Sequence, residues 1–584
     1  MSVLSDKKSL KLVADDFSNA KKFRGAKETA WNEYYQLYRA YLDTSKYPWR
    51  SNVFIPYAFW TIETILPRLV ANKPRLLVEA RNIEDEPKAK VFGSLIDWQW
   101  DMMGMALKIE HLVREGMKYG TSFLKIGWNE RDGIPEIENC DILDLYVDPY
   151  ATSLKDTRFV IFRTFRTKDE IKNNKNYQNT DALEALKSSD AEGRKAQRYS
   201  IQDMGAPDTA TGGERIEVLE YWTSDRLIVI AGNTIVLRDE KNPFTDKKIP
   251  FVLYRDYPVA FEFYGIGEIE HIKSQQEEGN SIRNQMLDNN NLINNPMYTS
   301  DPTANLNVRN LISKPGAVVP KGLTPFQHPQ LSNKSFDLEQ EIKADVQQTT
   351  GVTDYQIGGD VGGGTKMNKT ATGIHLIQEA GNQRFKIKLD HLEQTIKDLG
   401  EMLLSRNQQF LNKDTVVRVV GEEGIVFQEI TAEDIVGSFD IKPEAGSTTP
   451  VNKDIEREQI KDMVGQLAQL QQISMGALQV NWFELATRMV NKYGIKDVNN
   501  IIKQGQPIPP MPPPGQEGAP QEGGQVAPEG QGAPPQGGGE VAPEIEQMLQ
   551  QLGPDGVAKF IQTLPPQDQQ IMNSQLQKLA QQGG

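Results

Sequence analysis

The glycine-rich stretch at residues 358–364 is where chemistry would be sought first, because Gly359 and Gly364 have the G-x-x-x-x-G spacing of a phosphate-binding loop. A Walker A loop continues with Lys and then Ser or Thr, so that the amine reaches the β- and γ-phosphates and the hydroxyl reaches Mg²⁺. Here Thr365 intervenes and Lys366 precedes Met367. No buried strand is predicted before the loop either. The spacing therefore does not indicate nucleotide hydrolysis, and any energy source has to come from another protein.

Metal ligands and acid–base pairs are equally sparse. The five histidines are dispersed and none forms an H-E-x-x-H array: His111, His271, His328, His375 and His391. The single cysteine, Cys140, has no partner for a C-x-x-C motif or an intrachain disulfide. Asp141 with Asp144, or Asp354 with Asp360, could in principle exchange a proton, but such pairs arise by chance in an acidic chain. We predict no enzyme activity, no catalytic residue, no metal and no cofactor.

The composition describes a large acidic chain with several modules. It has 584 residues, with 65 Lys and Arg against 79 Asp and Glu, so the net charge is −14. That balance excludes a basic protein that coats nucleic acid, and at about 150 residues per domain the length suggests several domains. The most apolar window, residues 54–71, contains Glu63, Arg68 and two prolines, which favours a core helix over a membrane span. The N-terminus lacks the apolar segment of a secretory signal.

Hydrophobic periodicity in the first half predicts helices and strands in alternation. Aromatic residues three and four apart at 31–42 indicate one helix, and residues 91–119 indicate a second that stops before Gly120. Runs of β-branched and aromatic residues predict strands at 123–128, 142–147, 159–165, 227–231, 234–237 and 250–257. Gly232-Asn233 is a two-residue hairpin turn, because both residues tolerate positive φ. A polar surface excursion is expected at 173–214, with a weak helix near 182–187.

The second half is dominated by long helices. Residues 267–291 form a polar helix with a thin apolar stripe, which either bridges solvent or packs against copies of itself. Another helix is predicted at 336–350 and a long one at 371–410, whose apolar positions step by four and three: Phe385, Leu389, Leu392, Ile396, Leu399 and Leu403. Gly381 is a possible bend in it.

The chain is expected to close with strands, a helical end and an unfolded tail. The strands are predicted at 416–420, 425–430 and 438–442, and two or three helices at 454–503. Residues 504–543 are rich in Pro, Gly and Gln and cannot bury enough apolar surface to fold. A short helical pair is plausible at 544–579. The elements together give an α+β fold class.

Four stretches, in this order, resemble a tailed-bacteriophage portal, or head–tail connector, protein of the short-tailed-phage type. They are residues 115–128 (EGMKYGTSFLKIGW), 141–149 (DILDLYVDP), 314–319 (KPGAVV) and 369–374 (KTATGI). The resemblance covers residues 31–503, and the tail beyond departs from the pattern. It implies a portal fold assembled as a ring of about twelve copies around a DNA channel at one capsid vertex.

The resemblance also implies a domain map. The α+β wing would be 1–264, the stem helices 265–294 and 336–350, the clip 295–335, and the tunnel loop 351–369. The long wing helix and C-terminal wing strands would be 370–450, the helical crown 451–503, and the linker and short helical tail 504–584.

The implied partners are double-stranded DNA in the channel, the terminase large subunit, the major capsid protein, and head–tail adaptor or tail proteins. The protein would reside in the virion, and in host cytoplasm during assembly. The clip, including Lys314, Pro315 and Gly316, would dock the motor and the adaptors.

We hypothesise that four tunnel-loop residues approach the phosphate backbone without reading bases: Thr365, Lys366, Asn368 and Lys369. The alternative is that these lysines only solvate a loop. Two other functions stay open at this point: a head–tail adaptor or scaffold that never encircles DNA, and a nucleotide-driven DNA-handling protein. The missing Walker motif argues against the second.

Overall fold

The computed structural model describes most of the chain before residue 444 and a little of the rest. The described residues are 3–42, 50–71, 74–186, 215–301, 322–327, 333–352, 371–411, 415–421, 424–430, 435, 437–443, 462–470, 482 and 485–486. The chain divides into two compact units, Met1–Val480 and Asn481–Gly584. All the elements below belong to the first unit.

Long helices and short antiparallel strands build this unit. The helices are α1 Val3–Phe23, α2 Gly25–Tyr38, α3 Tyr57–Val70, α4 Glu86–Met102, α5 Met105–Tyr119, α6 Lys168–Lys172, α7 Glu268–Asn294, α8 Asn333–Thr350 and α9 Ala371–Phe410. Residues 462–470 are helical as well. The strands are β1 Leu76–Ala80, β2 Thr121–Asn129, β3 Ile134–Cys140, β4 Leu145–Val147, β5 Val160–Thr167, β6 Arg215–Trp222, β7 Arg226–Ala231, β8 Ile235–Lys241, β9 Phe251–Arg255, β10 Tyr298–Ser300, β11 Leu323–Pro325, β12 Thr415–Gly421, β13 Gly424–Ile430 and β14 Phe439–Pro443.

The described strands pair only antiparallel, in one large sheet and several small ones. The large sheet has the order β4-β5-β6-β7-β8, and a smaller one has β2 between β3 and β9. Three two-stranded sheets pair β1 with β14, β10 with β11, and β12 with β13. Segregated helices and antiparallel sheets are the α+β class that the sequence predicts.

The main hydrophobic core lies where α2, α3, α5 and α9 meet the two larger sheets. All six predicted positions on α9 are buried there, with Leu403 fully enclosed. They pack on β2, β9 and β14 of the same chain. The backbone is helical throughout Ala371–Phe410, including Gly381.

Two local predictions have opposite outcomes. The hairpin is confirmed, with φ of 54° and 57° at Gly232 and Asn233, but Ala231 pairs with Ile235, so its loop has three residues and not two. The single helix expected at 91–119 is wrong, because Gly104 adopts φ 62° and divides it into α4 and α5. A left-handed residue cannot continue a right-handed helix, and glycine adopts that conformation without steric cost.

The apolar window at 54–71 forms α3, whose inner face is buried in the core. No helix among the described residues is long and apolar enough to cross a membrane. The excursion is described only in part: a short 3-10 helix occupies Thr180–Ala185, and residues 187–214 lie outside the described residues.

Candidate functional site: the paired helices and the charged junction

Helices α7 and α8 pack side by side, and their sequence explains how so polar a pair holds together. Ile342 and Val346 of α8 are buried, and Arg283 of α7 donates to both carboxylate oxygens of Glu339 at 3.1–3.2 Å. A Cβ at Gly279 would lie 3.3 Å from the Tyr57 ring and 3.5 Å from Ile342. Glycine at this position therefore lets α7 approach both α3 and α8 closely.

One polar face of α7 is covered by the chain's own extended segment 50–56. Four α7 side chains at every fourth position accept backbone hydrogen bonds, three from this segment and one from the start of α3: Gln276, Asn280, Asn284 and Asp288. The donors, in the same order, are the N–H groups of Ala58, Ile55, Val53 and Ser51, at 3.1, 2.9, 2.7 and 2.7 Å. Asn284 also donates to the Val53 carbonyl at 2.9 Å. We call this set the amide ladder.

The amide ladder works because two periodicities agree. Four residues of helix rise about 6 Å, and two residues of extended chain rise about 6.6 Å. Three successive turns of α7 therefore meet alternate N–H groups of the segment, those of Ile55, Val53 and Ser51, while Gln276 accepts from Ala58 at the start of α3. From the sequence, we expected α7 either to bridge solvent or to be covered by other copies. Coverage by the chain's own backbone was not predicted, although the four-residue repeat of amide and acid side chains is visible in the sequence.

We expect Asn280→Ala to destabilise the chain by about 1–3 kcal/mol, because it leaves the Ile55 N–H without its acceptor. Gln285→Ala is the matched control on the exposed face of the same helix, and its expected cost is below about 0.5 kcal/mol. Urea unfolding followed by circular dichroism measures both. Equal costs for the two variants would show that the amide ladder does not stabilise the fold.

A buried cluster of charges joins α9 to the start of α7. Lys388 of α9, 2% exposed, donates to both carboxylate oxygens of Asp256 at 2.6 Å and to Glu268 at 2.5 Å. The Tyr257 hydroxyl donates to Glu268 at 3.0 Å, and the Lys388 amine lies 4.0 Å from the Tyr257 ring centroid. Tyr254 donates to Asp256 at 3.4 Å. We call these five residues the charged junction.

Two carboxylates share one ammonium in the charged junction. Burial, with a contribution from Glu268, raises the pKa of Asp256 to about 6, although Lys388 opposes the shift. Burial alone would lower the pKa of Lys388, but Asp256 and Glu268 outweigh it and raise that pKa. The lysine is therefore charged at any physiological pH, and Asp256 changes its protonation near pH 6.

The raised pKa of Asp256 predicts a pH dependence. Because the folded state binds the proton more tightly, Asp256 contributes stability that is complete below pH 3.8 and is lost as the pH rises through about 6. Asp256→Asn cannot titrate, so its stability relative to wild type should improve by about 2 kcal/mol from pH 4 to pH 7. Denaturant unfolding at a series of pH values measures this. A difference that stays constant with pH would contradict the assignment.

Three glycines allow two segments of backbone to pass close to each other at the start of α7. A Cβ on Gly120, whose φ is 83°, would lie 2.2 Å from the Gly265 carbonyl oxygen. A Cβ on Gly267, directly before α7, would lie 2.5 Å from the Met117 carbonyl oxygen. Thr121 accepts a hydrogen bond from the Gly265 N–H at 2.9 Å. The origin of α7 is thus fixed by main-chain contacts as well as by the charged junction.

A model of the family described as phage SU10 portal protein matches residues 129–529, which is more than half of the chain. The chain belongs to the phage SU10 portal protein family. It is therefore a phage portal, or head–tail connector, protein, as the four sequence stretches indicate. The match begins just after residues 115–128 and extends past residue 503.

Two solved structures are also similar to this portal protein. One is described as "Neck of empty GTA particle computed with C6 symmetry", at 12% identity, TM-score 0.33, covering 75% of this chain and 90% of that one. The other is described as "Neck of native GTA particle computed with C12 symmetry", at 13% identity, TM-score 0.33, covering 74% and 89%. A TM-score of 0.33 is too low to establish a shared fold, so the identification depends on the family match.

The site residues predicted from the portal resemblance all lie outside the described residues. Those of the tunnel loop are Thr365, Lys366, Asn368 and Lys369, and those of the clip are Lys314, Pro315 and Gly316. What the structure does show is α7 and α8, which flank residues 295–335 in the chain, and the short β10–β11 pair. Among the described residues, no three His, Cys, Asp or Glu side chains cluster as metal ligands.

Proposed function

We propose that twelve copies of this portal protein form a ring whose axial channel passes double-stranded DNA during packaging and ejection at one capsid vertex. The family match carries this proposal. In it, α7 and α8 are the stem, residues 295–335 are the clip that meets the terminase large subunit and later the adaptors, and residues 451–503 are the crown. The wing would contact the major capsid protein. The ring has no catalytic activity of its own, and assembly takes place in host cytoplasm.

The charge of the helix pair supports a conduit that DNA can slide through. Helix α7 carries five carboxylates against two basic residues, and α8 carries four against two. A basic lining would bind phosphates strongly and in a salt-dependent way, whereas an acidic one keeps contacts weak. The few cations that approach DNA would then come from the tunnel loop, residues 351–369.

The exposed face of α7 is suited to a neighbouring subunit. With one polar face used by the amide ladder, a second polar stripe stays exposed at four- and three-residue steps: Ser274, Glu278, Ser281 and Gln285. Small and amide side chains at this spacing allow helices of adjacent copies to pack closely. Neighbouring subunits would thus cover this second stripe of α7, while the amide ladder already covers the first polar face.

Negative-stain electron microscopy with mass photometry on the purified full chain tests the ring. Hollow rings of about twelve copies are expected. A closed oligomer without an axial channel would contradict the conduit and favour a head–tail adaptor or scaffold.

The tunnel-loop proposal has its own test. We expect Lys366→Ala combined with Lys369→Ala to reduce DNA packaging or retention in assembled particles while rings still form, because the weak phosphate contacts are lost. Thr365→Ala with Asn368→Ala is the matched uncharged control and should have the smaller effect. Unchanged packaging and retention with both lysines replaced would show that they only solvate the loop.

A further inference from the structure

Strand β14 has an open edge within the described part of the chain. It pairs there with β1 alone, in a sheet of two strands. The Arg81 N–H donates to the Ser438 carbonyl at 3.0 Å, which marks these two residues as a hydrogen-bonded pair. Bonded and non-bonded positions alternate along an antiparallel pair, so the N–H and C=O groups of Phe439 and Ile441 point away from β1. Each of these two residues presents one donor and one acceptor at the open edge.

These outward backbone groups lack a partner among the described residues. Phe439 and Ile441 are only 6% and 3% exposed, so bulk solvent has little access to them. The hydrogen bonds between described residues include none to the outward groups of either one. The preceding outward carbonyl, that of Gly437, accepts from the Gln408 side chain of α9 at 3.0 Å. Buried backbone groups are normally paired, so the two remaining positions require a partner.

A cavity of about 600 Å³ runs along this edge, and side chains of α9 form its opposite wall. It touches every residue from 437 to 442. Successive side chains of a strand point to opposite faces, so a cavity that touches all of these residues meets the strand at its edge. Gly400 brings α9 close to β14, because a Cβ there would lie 2.6 Å from the Ile441 side chain. The volume is within the range of roughly 300–1,000 Å³ that is typical of ligand pockets.

The rim of the cavity is basic although the chain is acidic. Four basic side chains line the cavity against two acidic ones: Arg81, Lys248, Lys397 and Lys442 against Glu401 and Asp440. Arg81, Lys248 and Lys442 are each ion-paired. Lys397 forms no ion pair with any residue that the structure describes. A chain with a net charge of −14 thus offers a cationic surface beside open backbone donors and acceptors.

We propose that the cleft between β14 and α9 binds an extended acidic segment of a partner protein, which adds to β14 as a third strand. In this mode of recognition, main-chain hydrogen bonds at a sheet edge supply affinity and the flanking side chains supply specificity. The added strand pairs with Phe439 and Ile441, and Lys397 meets one of its carboxylates. The contact goes beyond the proposed conduit and does not depend on the ring.

The open hydrogen-bonding groups favour a peptide over nucleic acid. Phosphate oxygens accept hydrogen bonds from protein, but they cannot donate to the carbonyls of Phe439 and Ile441. A peptide in extended conformation offers an N–H and a C=O group at alternate residues, which matches both kinds of open group. Charge complementarity then selects a peptide that carries carboxylates.

Fluorescence anisotropy with a labelled peptide tests the site on the full chain. The probe is Glu-Val-Glu-Val-Glu with blocked ends, which combines carboxylates with β-branched residues, and wild type should bind it saturably. Lys397→Glu should weaken binding at least about tenfold, because it places a like charge beside the peptide. Lys386→Glu, at an exposed position of the same helix, is the matched control and should bind as wild type does. Absence of saturable binding to wild type, or equal binding by Lys397→Glu, would overturn the proposal.

N-methylation of the probe distinguishes strand addition from charge attraction alone. Methyl groups on alternate backbone nitrogens remove the donors from one edge of the peptide and leave its charge unchanged. Of the two alternate sets, one should weaken binding at least about tenfold more than the other, because only one edge pairs with β14. Equal binding of both methylated probes would overturn strand addition, and so would displacement of the probe by a short DNA duplex at the same concentration as by unlabelled peptide.

Hydrogen exchange measured by mass spectrometry locates the contact. The probe should slow exchange in residues 437–443 and leave β8, an edge strand of the large sheet, unchanged. Slower exchange in β8 alone, or in neither strand, would overturn the site. Such a result would leave the proposed conduit intact, because electron microscopy measures the ring separately.

Discussion

Lys388→Met is expected to destabilise the fold by about 3–5 kcal/mol, because it leaves Asp256 and Glu268 buried with no cation. Both carboxylates are almost fully enclosed, at 0% and 2% exposure, so water cannot replace the lost ammonium. One or both must then take up a proton on folding. The cost should therefore increase with pH. Equilibrium unfolding in urea, at pH 5 and pH 8, measures both effects.

A triple variant that removes all three charges of the junction distinguishes the effect of the unpaired charges from the effect of losing the lysine side chain. Lys388→Met combined with Asp256→Asn and Glu268→Gln keeps the packing volume and removes both buried charges, so most of the lost stability should return. Lys386→Met, at an exposed position on the same helix, is the matched control and should cost below about 0.5 kcal/mol. A cost of less than about 1 kcal/mol for Lys388→Met would contradict the role of the charged junction in fixing α9 to α7.

Gly120→Ala is the second large effect that we expect, with a loss above about 4 kcal/mol or failure to fold. The added methyl carbon would lie 2.2 Å from the Gly265 carbonyl oxygen, and backbone cannot rotate away as a side chain can. The positive φ of Gly120 adds strain of roughly 1–2 kcal/mol. Soluble yield and thermal unfolding of the purified chain report the result.

Two other glycines distinguish the steric clash of an added Cβ from the cost of a positive φ angle. Gly104 also has positive φ, but a Cβ added there would meet no other atom within 4 Å, so Gly104→Ala should cost only the roughly 1–2 kcal/mol of strain. Gly93 is helical and equally unobstructed, so Gly93→Ala should be neutral or stabilising. Similar losses for Gly120→Ala and Gly104→Ala would show that the backbone crossing does not constrain the start of α7.

Local sequence patterns predict the long helices and the hairpin well. The apolar spacing from Phe385 to Leu403 gives α9 because a helix repeats every 3.6 residues wherever its partner lies. The turn at Gly232-Asn233 follows from the φ angles that those two residues allow. These predictions succeed because they depend on neighbours in the chain.

What the sequence does not reveal depends on distant partners. Strand β1 pairs with β14, which lies far along the chain, from Leu76 with Pro443 to Ala80 with Phe439, and no local pattern encodes that pairing. Helix α1 and strand β6 are also missed. The charged junction unites Asp256, Glu268 and Lys388, which are ordinary surface-type residues in the sequence, because the fold buries them together. The family resemblance was therefore needed to reach the function.

The most direct test of the conduit is a cryo-electron microscopy reconstruction of the assembled full chain. We expect a closed ring with α7 and α8 around an axial opening wide enough for a DNA duplex. A ring with α7 and α8 on its outer rim, or one filled along its axis by ordered protein, would contradict it.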